Sequence, residues 1–314
     1  MLPEHAIGLA TDITIMSLLA LSAYLLLIVG RVSFGQQAFF GLGAYTAGIA
    51  SAIAQWPLAL ALGAGMAVGA LASVLLAWPT MKLSGLSYAV ATLAFAEMAR
   101  ITLLGWHWQV QRDGVEAGPA IGPAGGEGMR DIRWLFENEV SSAGYLALCL
   151  AVLAVVLVLL AWSERTRIGL ALRMIGHDDT LAAAQGLPVA RLRLVAATAA
   201  GALAALGGGL YAHRTTYIEP GLFDPMLGVH AVGYALIGGL GTALGPIVGV
   251  LFDIGLLDAA RIFEGWRMVV FGGVVALFLR WRPRGLLDEV LVHRVTQWRR
   301  RRVVELVVKL EAAR

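Results

Sequence analysis

AGYLALCLAVLAVVLVLLAW, residues 143–162, is an uninterrupted apolar run that decides the fold of this 314-residue chain. A helix of about 20 apolar residues is long enough to cross a hydrocarbon core of about 30 Å. Because lipid offers no hydrogen-bonding partners, a crossing segment must satisfy its own backbone groups, which a helix of this length does. Residues 143–162 therefore predict a transmembrane helix.

Similar apolar runs recur along the chain. Overall, 59% of the residues are hydrophobic and 14% are charged, whereas about a quarter of the residues are charged in soluble domains. The sequence predicts an all-α, polytopic membrane helical bundle of about eight transmembrane helices, formed by residues 1–285. Besides 143–162, the predicted spans are 7–29, 34–54, 58–79, 86–104, 192–212, two closely joined spans within 226–259, and 268–281.

Glycine marks places where these helices break or pack closely. The stretch 238–246 lies between the two joined spans and predicts either a tight turn or a broken helix. GRVSFGQQAFFGLGAYTAG, Gly30–Gly48, is polar and glycine-rich before a span, which is typical of a re-entrant segment lining a polar cavity. Small residues also recur at every fourth position, which predicts helix faces that allow close packing. These sets are Gly201, Ala205 and Gly209, and Gly241, Gly245 and Gly249.

The basic residues are distributed unequally between alternate loops. Arg31, Lys82, residues 163–193 and the chain from Arg280 onward hold 17 of the 24 Lys and Arg residues. Cytoplasmic loops of membrane proteins carry an excess of these residues. We therefore expect the N-terminus outside, residues 105–142 in an external loop, and the loop 163–193 and the C-terminus in the cytoplasm.

Two segments outside the predicted spans have open roles. The loop 105–142 contains several tryptophans, which indicate either anchoring at the membrane interface or contact with an external partner. The tail 286–314 is basic and amphipathic. It is suited either to lying on an anionic leaflet or to remaining solvated.

The cytoplasmic loop 163–193 contains a predicted short helix with its own start and stop signals. Asp178 or Asp179 can cap its start, and Gly186, followed by Pro188, ends it. The pattern fits a docking element and a simple connector equally well.

No catalytic or metal-binding pattern emerges from the sequence. The six histidines are scattered, the single cysteine, Cys149, lies inside an apolar run, and a G-x-x-x-x-G-K-[ST] phosphate loop is absent. We therefore expect a chain that is not an enzyme and binds no cofactor or metal itself. If ATP drives it, the ATP must bind to another chain.

A few ionisable residues lie within the apolar runs, where such groups are costly. Glu97 and Arg100 are one helical turn apart and can pair with each other. His230 and Asp253 flank the glycine-rich stretch and form either a buried polar pair or a contact with solute. These residues also fit an alternative function, a secondary transporter or channel that relays protons or ions through Glu97, Asp253 or His230. A membrane-embedded enzyme would need a paired acid and base, which the pattern does not supply.

Several sequence blocks, in order, resemble the branched-chain amino acid permease family of ABC importers, and its LivM-type subunit in particular. Together they extend over most of the chain. The blocks are Gly30–Gly48, LSGLSYAVATLAFAEMAR (Leu83–Arg100), Arg165–His213, GVHAVGYALIGGLGTALGPIVGVL (Gly228–Leu251) and RWRPRGLL (Arg280–Leu287).

The resemblance implies that Ile168–Pro188 contains a coupling helix that inserts into a cytoplasmic ATPase, with Arg173, Asp178, Asp179 and Gly186 as coupling residues. It also implies a bacterial inner-membrane complex with a second permease subunit of the LivH type, two ATP-binding subunits that carry ATP and Mg, and a periplasmic solute-binding protein. Its cargo would be branched-chain amino acids, or urea, short amides or aromatic acids. Nucleic acid is not an expected partner.

In that reading, ATP-driven movement of the coupling helix tilts the membrane helices around a central path. Five residues are candidates for lining this path. They are Gln36, Gln37 and Tyr45 from the polar segment, Glu97 from the fourth span and Tyr234 from the glycine-rich region.

Overall fold

A computed structural model describes residues 4–111 and 121–258, together with 269–270, 272–273, 276–277, 280 and 285–287. Across these ranges the regular structure is helical, with isolated β-bridges between loops. The helices in chain order are α1 (Glu4–Leu27), α2 (Gln36–Ala52), α3 (Leu58–Thr80), α4 (Gly85–Gly105), α5 (Trp134–Glu137), α6 (Ser142–Arg165), α7 (Arg167–His177), α8 (Asp179–Ala184), α9 (Val189–Thr215), α10 (Pro225–Gly238) and α11 (Gly245–Val250).

The predicted all-α, polytopic membrane bundle is confirmed. Five helices in the described ranges are long and apolar enough to cross a membrane: α1, α3, α4, α6 and α9. The joined spans of 226–259 are α10 and α11, and α11 continues as a π-helix over Leu251–Asp258. A turn at 239–244 separates them, so the tight-turn alternative is correct. Most of the span predicted at 268–281 lies outside the described residues, and the count of eight stays a prediction.

The segment predicted to be re-entrant has a different structure. Residues 28–35 are non-helical, and α2 then runs as one continuous helix from one end of the bundle to the other. With 17 residues, α2 is about 25 Å long, which is shorter than a hydrocarbon core of about 30 Å. Most of the non-helical residues before it are buried against other parts of the chain, where irregular backbone is tolerated.

The loops segregate to two opposite ends of the bundle. At one end, Arg31 donates a hydrogen bond to the Met81 carbonyl at 2.9 Å, and the Gly241 amide donates to the Leu287 carbonyl at 3.2 Å. Loop 163–193 lies at this same end, which we call the basic end. All the segments predicted to be cytoplasmic that the structure describes therefore lie together.

The opposite end gathers the segments predicted to be external. A β-bridge joins Met129 to Ile218, which follows α9. A cleft of about 360 Å³ is lined by residues 52–55 together with Val110, Gln111 and Ile121. Of the tryptophans in this loop, Trp106 and Trp108 are exposed, whereas Trp134 packs edge-on against His213. Anchoring at the membrane interface and contact with an external partner both stay predictions for this loop.

Helix α9 lies at the centre and packs against α1, α2 and α3. The approach is so close that a Cβ placed on Gly43 of α2 would stand 2.2 Å from the Ala205 carbonyl oxygen of α9. A Cβ on Gly201 would stand 2.6 Å from the Gly69 carbonyl oxygen of α3. The predicted packing face of Gly201, Ala205 and Gly209 is therefore confirmed.

The second predicted set of small residues is only partly correct. Gly241 lies in the turn before α11 rather than on a helix. Gly245 and Gly249 do face α10 closely, since a Cβ on Gly249 would stand 2.0 Å from the Tyr234 carbonyl oxygen. The turn places α10 and α11 side by side, and these glycines allow the contact.

The outer faces of α3, α4 and α6 carry large exposed apolar side chains. Such a surface would be a liability in water, but it is the ordinary outer surface of a membrane bundle. The exposed residues include Leu71, Leu75, Trp78, Leu86, Val158 and Trp162.

Candidate functional site

Three of the buried polar side chains of helix α2 are predicted path candidates. Gln36, Gln37 and Tyr45 are each at most 1% exposed. Gln36 accepts a hydrogen bond from Ser22 of α1 at 3.1 Å through its amide oxygen. Within the described part of the chain, both polar atoms of the Gln37 amide and the Tyr45 hydroxyl have no hydrogen-bond partner. Buried polar groups are normally paired, so these exceptions need a physical explanation.

Gln37, Gly41 and Tyr45 follow one another at four-residue intervals and share one side of α2. We call these three residues the polar face of α2. Opposite its Gln37 end lies Gly228 of α10, where an added Cβ would stand 2.1 Å from the Gln37 amide oxygen. Opposite its middle lies the Phe223 ring, at 3.0 Å from a Cβ placed on Gly41. The Phe223 and Tyr45 ring centroids are 6.2 Å apart.

The other two path candidates lie elsewhere. Glu97 of α4 is bonded to Arg100, with 2.9 Å between Oε2 and Nε, and its side chain remains 37% exposed. The ion-pair reading of these two residues is therefore correct. Tyr234 of α10 is buried, but its hydroxyl donates to Asp253 at 2.8 Å. The structure brings Gln37 and Tyr45 to one face and does not bring Glu97 or Tyr234 to it.

His230 and Asp253 were predicted either to pair or to contact solute. The His230 ring lies beside that of Tyr234, with centroids 5.8 Å apart. Asp253 is completely buried and accepts the Tyr234 hydroxyl. Tyr234 thus stands between the two predicted residues, and the three form a polar group where α10 meets the π-helix, with Tyr234 and Asp253 buried and His230 partly exposed.

The loop 163–193 forms two helices rather than one. The predicted short helix is α8, whose start is capped by Asp178 through a hydrogen bond from the Leu181 amide at 2.9 Å. Its end has the Schellman pattern, in which the Gly186 amide bonds to the Ala183 carbonyl and the Leu187 amide bonds to the Ala182 carbonyl. Gly186 has a φ of +83°, which explains why glycine is required there.

The longer helix α7 was not predicted, although its sequence carries the necessary signal. Gly169, Leu172 and Ile175 recur at three-residue spacing, and all three are buried. Thr166 caps the start of α7. The apolar period of 3.6 residues and this cap together mark a surface helix.

Arg173 fastens α7 to the rest of the bundle. Its guanidinium donates to the Tyr24 hydroxyl at 2.9 Å and to Glu164 at 3.1 Å. It also donates to the Leu240 and Gly241 carbonyls, each at 3.1 Å. Tyr24 in turn donates to Glu164. We call these five residues the Arg173 cluster. It joins α7 to α1, α6 and the turn between α10 and α11.

Sequence reasoning named Arg173 but missed its partners. Tyr24 and Glu164 lie 149 and 9 residues away in the chain, and nothing in their local sequence pairs them. The same is true of His213 in α9. Its ring bonds to the Ser51 hydroxyl at 2.9 Å and to the Gly209 carbonyl at 2.7 Å, which satisfies a fully buried histidine.

Comparison with known proteins gives the family. A family model described as "Branched-chain amino acid transport system / permease component" matches residues 5–279. The chain is 29% identical over 139 residues to proteins named "High-affinity branched-chain amino acid transport system permease protein LivM" from Escherichia coli strain K12 and Salmonella typhimurium strain LT2. The match covers 44% of this chain and 33% of each relative. No solved structure matches the chain.

The family model covers most of the chain, including the polar face of α2, the Arg173 cluster and the helices α7 and α8. The chain therefore belongs to the family of permease components of branched-chain amino acid transport systems.

Proposed function

We propose that this chain is the membrane-spanning permease subunit of an ABC importer for branched-chain amino acids or related small polar solutes. The energy for transport comes from ATP hydrolysis on a separate chain. Family membership supports the class of protein. The observation that carries the proposal is the way α7 and α8 are built at the basic end of the bundle.

The inner side of this element is firmly attached. The Arg173 cluster contacts three other elements, and Asp179 at the start of α8 binds Arg193 of α9 at 3.0 Å. Packed, hydrogen-bonded elements move as units. A push on α7 and α8 would therefore be transmitted to α1, α6, α9 and the α10–α11 turn together.

The outer side of the same element is apolar and uncovered. Ile168, Leu170 and Leu181 are each more than half exposed. Exposed apolar side chains on a segment outside the membrane favour a protein partner. We infer that the ATP-binding subunit contacts this surface, with Asp178 and Gly186 holding the shape of α8.

The remaining features of the complex follow from the family and the charge pattern. We propose a bacterial inner-membrane protein with its N-terminus outside and its C-terminus in the cytoplasm. Its partners are a LivH-type permease, two ATP-binding subunits that bind ATP and Mg, and a periplasmic solute-binding protein that meets the end opposite α7. The solute crosses beside α2.

The group of Tyr234, Asp253 and His230 gives a secondary transporter its best support, because it places an ionisable carboxyl group inside the bundle. Such a protein would need no ATPase. The two functions can therefore be separated by asking what accompanies the chain and what drives uptake.

The test is purification of the full chain from its native membrane in mild detergent. We expect a chain with a phosphate-loop ATPase to accompany it. Replacing residues 176–188 with a flexible linker of equal length should remove the ATPase while leaving the chain in the membrane. The matched control is Arg167→Lys, an exposed site on α7 that keeps its charge.

If the chain purifies without an ATPase and moves leucine into vesicles in the absence of ATP, the proposed importer is wrong and the chain is a secondary transporter. If the ATPase stays bound after the linker replacement, the chain is still an importer subunit, but the ATPase docks on a surface other than residues 176–188.

A further inference from the structure

The polar face of α2 combines buried hydrogen-bonding groups with close approaches from two other segments. We propose that it is the wall of the solute path, that it selects solutes without net charge, and that Phe223 closes it on the side opposite the basic end. The proposal rests on the transport function inferred above and adds a site, a solute class and a gate.

The first step concerns hydrogen bonding. Gln37 is 1% exposed, and both polar atoms of its amide are unpartnered in the part of the chain that the structure describes. The Tyr45 hydroxyl, two turns along the same side of α2, is in the same condition. Burying such groups without partners is unfavourable, and more so away from water. A face that holds them ready for a passing polar solute accounts for this cost.

The second step concerns space. α10 approaches Gln37 through Gly228, which is buried. A Cβ at that position would stand 2.1 Å from the Gln37 amide oxygen, so any other residue would displace the amide. Gly41, between Gln37 and Tyr45, likewise has no side chain and is covered by the Phe223 ring. The contacts described across this face are therefore made by Gly228, by the Phe223 ring and, beside Tyr45, by the Trp106 ring at a centroid distance of 6.4 Å.

The third step concerns charge. The face presents an amide and a phenol hydroxyl, which both donate and accept hydrogen bonds and carry no charge. The carboxylate of Glu219, which precedes Phe223 by four residues, already accepts the Tyr217 hydroxyl at 2.8 Å. A solute with net charge would lose its hydration here without gaining a counter-charge. Zwitterionic amino acids, amides and urea have no net charge and can exchange hydrogen bonds with water for bonds to Gln37 and Tyr45.

The last step concerns closure. Phe223 is 2% exposed and belongs to the short 3₁₀ turn Pro220–Phe223 between α9 and α10. This turn lies at the end opposite the basic end, and its ring reaches inward onto Gly41, between the Gln37 and Tyr45 ends of the face. In this position it separates the two polar groups. Movement of one short turn would connect them.

The test uses cysteine reactivity, because the only cysteine, Cys149, is fully buried in α6 and can be replaced by alanine. Gln37→Cys is introduced into the Cys149→Ala chain in native membranes. It is treated with iodoacetamide, which is neutral, or with iodoacetate, which is similar in size and negatively charged. Each rate is divided by the rate of the same variant unfolded in detergent.

We expect Gln37→Cys to react with iodoacetamide at least tenfold faster than with iodoacetate after this correction. Adding Phe223→Ala should raise the iodoacetamide rate severalfold. The control is Ser73→Cys, a near-isosteric change at a buried site between α3 and α9, which should stay unreactive. Tyr45→Cys provides a second sensor on the same face.

Two results would overturn the proposal. The first is that the cysteines at positions 37 and 45 react as slowly as the cysteine at position 73, both with and without Phe223→Ala. This result counts only for variants that are present in the membrane. The other is equal corrected rates for the two reagents. Neither readout depends on an ATPase. If the cysteines react as expected in a chain that binds no ATPase, the solute path on α2 is supported and only the ATP-driven importer function is rejected.

Discussion

The carbonyl oxygen of Ile28, just beyond the end of α1, occupies the space that a side chain at Gly176 would need. A Cβ placed on Gly176 would stand 2.2 Å from that oxygen. The backbones of α7 and of the segment after α1 are therefore in direct contact. A displacement of α7 must move this segment, which leads through Gly30 and Arg31 into α2.

Gly176→Ala should separate α7 from the segment after α1 and so weaken the contact through which movement of α7 reaches α2. The overpacking should cost about 1–3 kcal/mol, localised at this contact. We expect normal amounts of chain in the membrane but strongly reduced ATP-dependent leucine uptake. The control is Gly63→Ala in α3, because a Cβ there meets nothing within 4 Å. Equal uptake by both variants would show that the contact is not used in transport.

Arg173→Lys should weaken the attachment of α7, since lysine keeps the charge but lacks the planar fork that reaches several acceptors. Losing part of this network should lower the stability of the purified complex by about 1–3 kcal/mol. The measurement is thermal unfolding, combined with ATPase activity and leucine uptake. We expect ATP hydrolysis that no longer drives uptake. A variant whose two activities fall in parallel would contradict a role for the Arg173 cluster in transmission.

Asp178→Ala should unravel α8, whereas Asp178→Asn should preserve it, because asparagine also caps helices. Hydrogen exchange at the Leu181 amide is the direct measurement, and we expect faster exchange only in the alanine variant. Asp179→Asn is the neighbouring control, since Asp179 bonds to Arg193 rather than capping α8. Fast exchange in the asparagine variant at position 178 would show that the carboxylate charge, rather than the cap geometry, holds α8.

The same cap has a predictable pH dependence. The hydrogen bond from the Leu181 amide, assisted by one from Thr180, holds the pKa of the Asp178 carboxyl below its usual range. Because the pKa is lowered in the folded state, this stabilisation is complete at neutral pH and is lost as the pH falls through the lowered pKa. Exchange of the Leu181 amide, corrected for the intrinsic rate, should therefore be insensitive to pH between about 6 and 8. A change of protection within that range would require a different titrating group.

Ser51→Ala should destabilise the bundle by leaving His213 without its partner on α2. An unsatisfied buried polar atom costs about 1–3 kcal/mol, and the cost within membrane bundles is at the lower end of that range. The measurement is the melting temperature in detergent. Ser73→Ala is the matched control, since the Ser73 hydroxyl bonds to the Ala70 carbonyl of its own helix. If Ser73→Ala lowered the melting temperature more than Ser51→Ala does, the hydrogen bond between Ser51 and His213 would not be a main contributor to stability.

Sequence alone predicted the elements whose signal is local. The apolar runs located the membrane helices, and Asp178 with Gly186 located α8 to within a residue or two. The position of Gln37 and Tyr45 on one helix face also follows from their spacing. These features depend on neighbours within a few turns, which a sequence pattern records directly.

What the sequence did not reveal depends on distant parts of the chain. Phe223 meets Gly41, and Gly228 meets Gln37, across more than 180 residues. Glu97 was a candidate because a charged residue within an apolar run suggests a path. Its pairing with Arg100 on an exposed side of α4 satisfies the charge locally, which the spacing of three residues permitted but did not require.

The backbone contact between α2 and α9 has a consequence for how the protein is made. Gly43 and Gly208 interlock with carbonyls of the opposite helix, yet α9 leaves the ribosome about 150 residues after α2, roughly ten to thirty seconds later at ordinary rates of synthesis. During that interval α2, with its glutamines, has no α9 to enclose it. We therefore expect α2 to reach its final packing only after α9 has been synthesised.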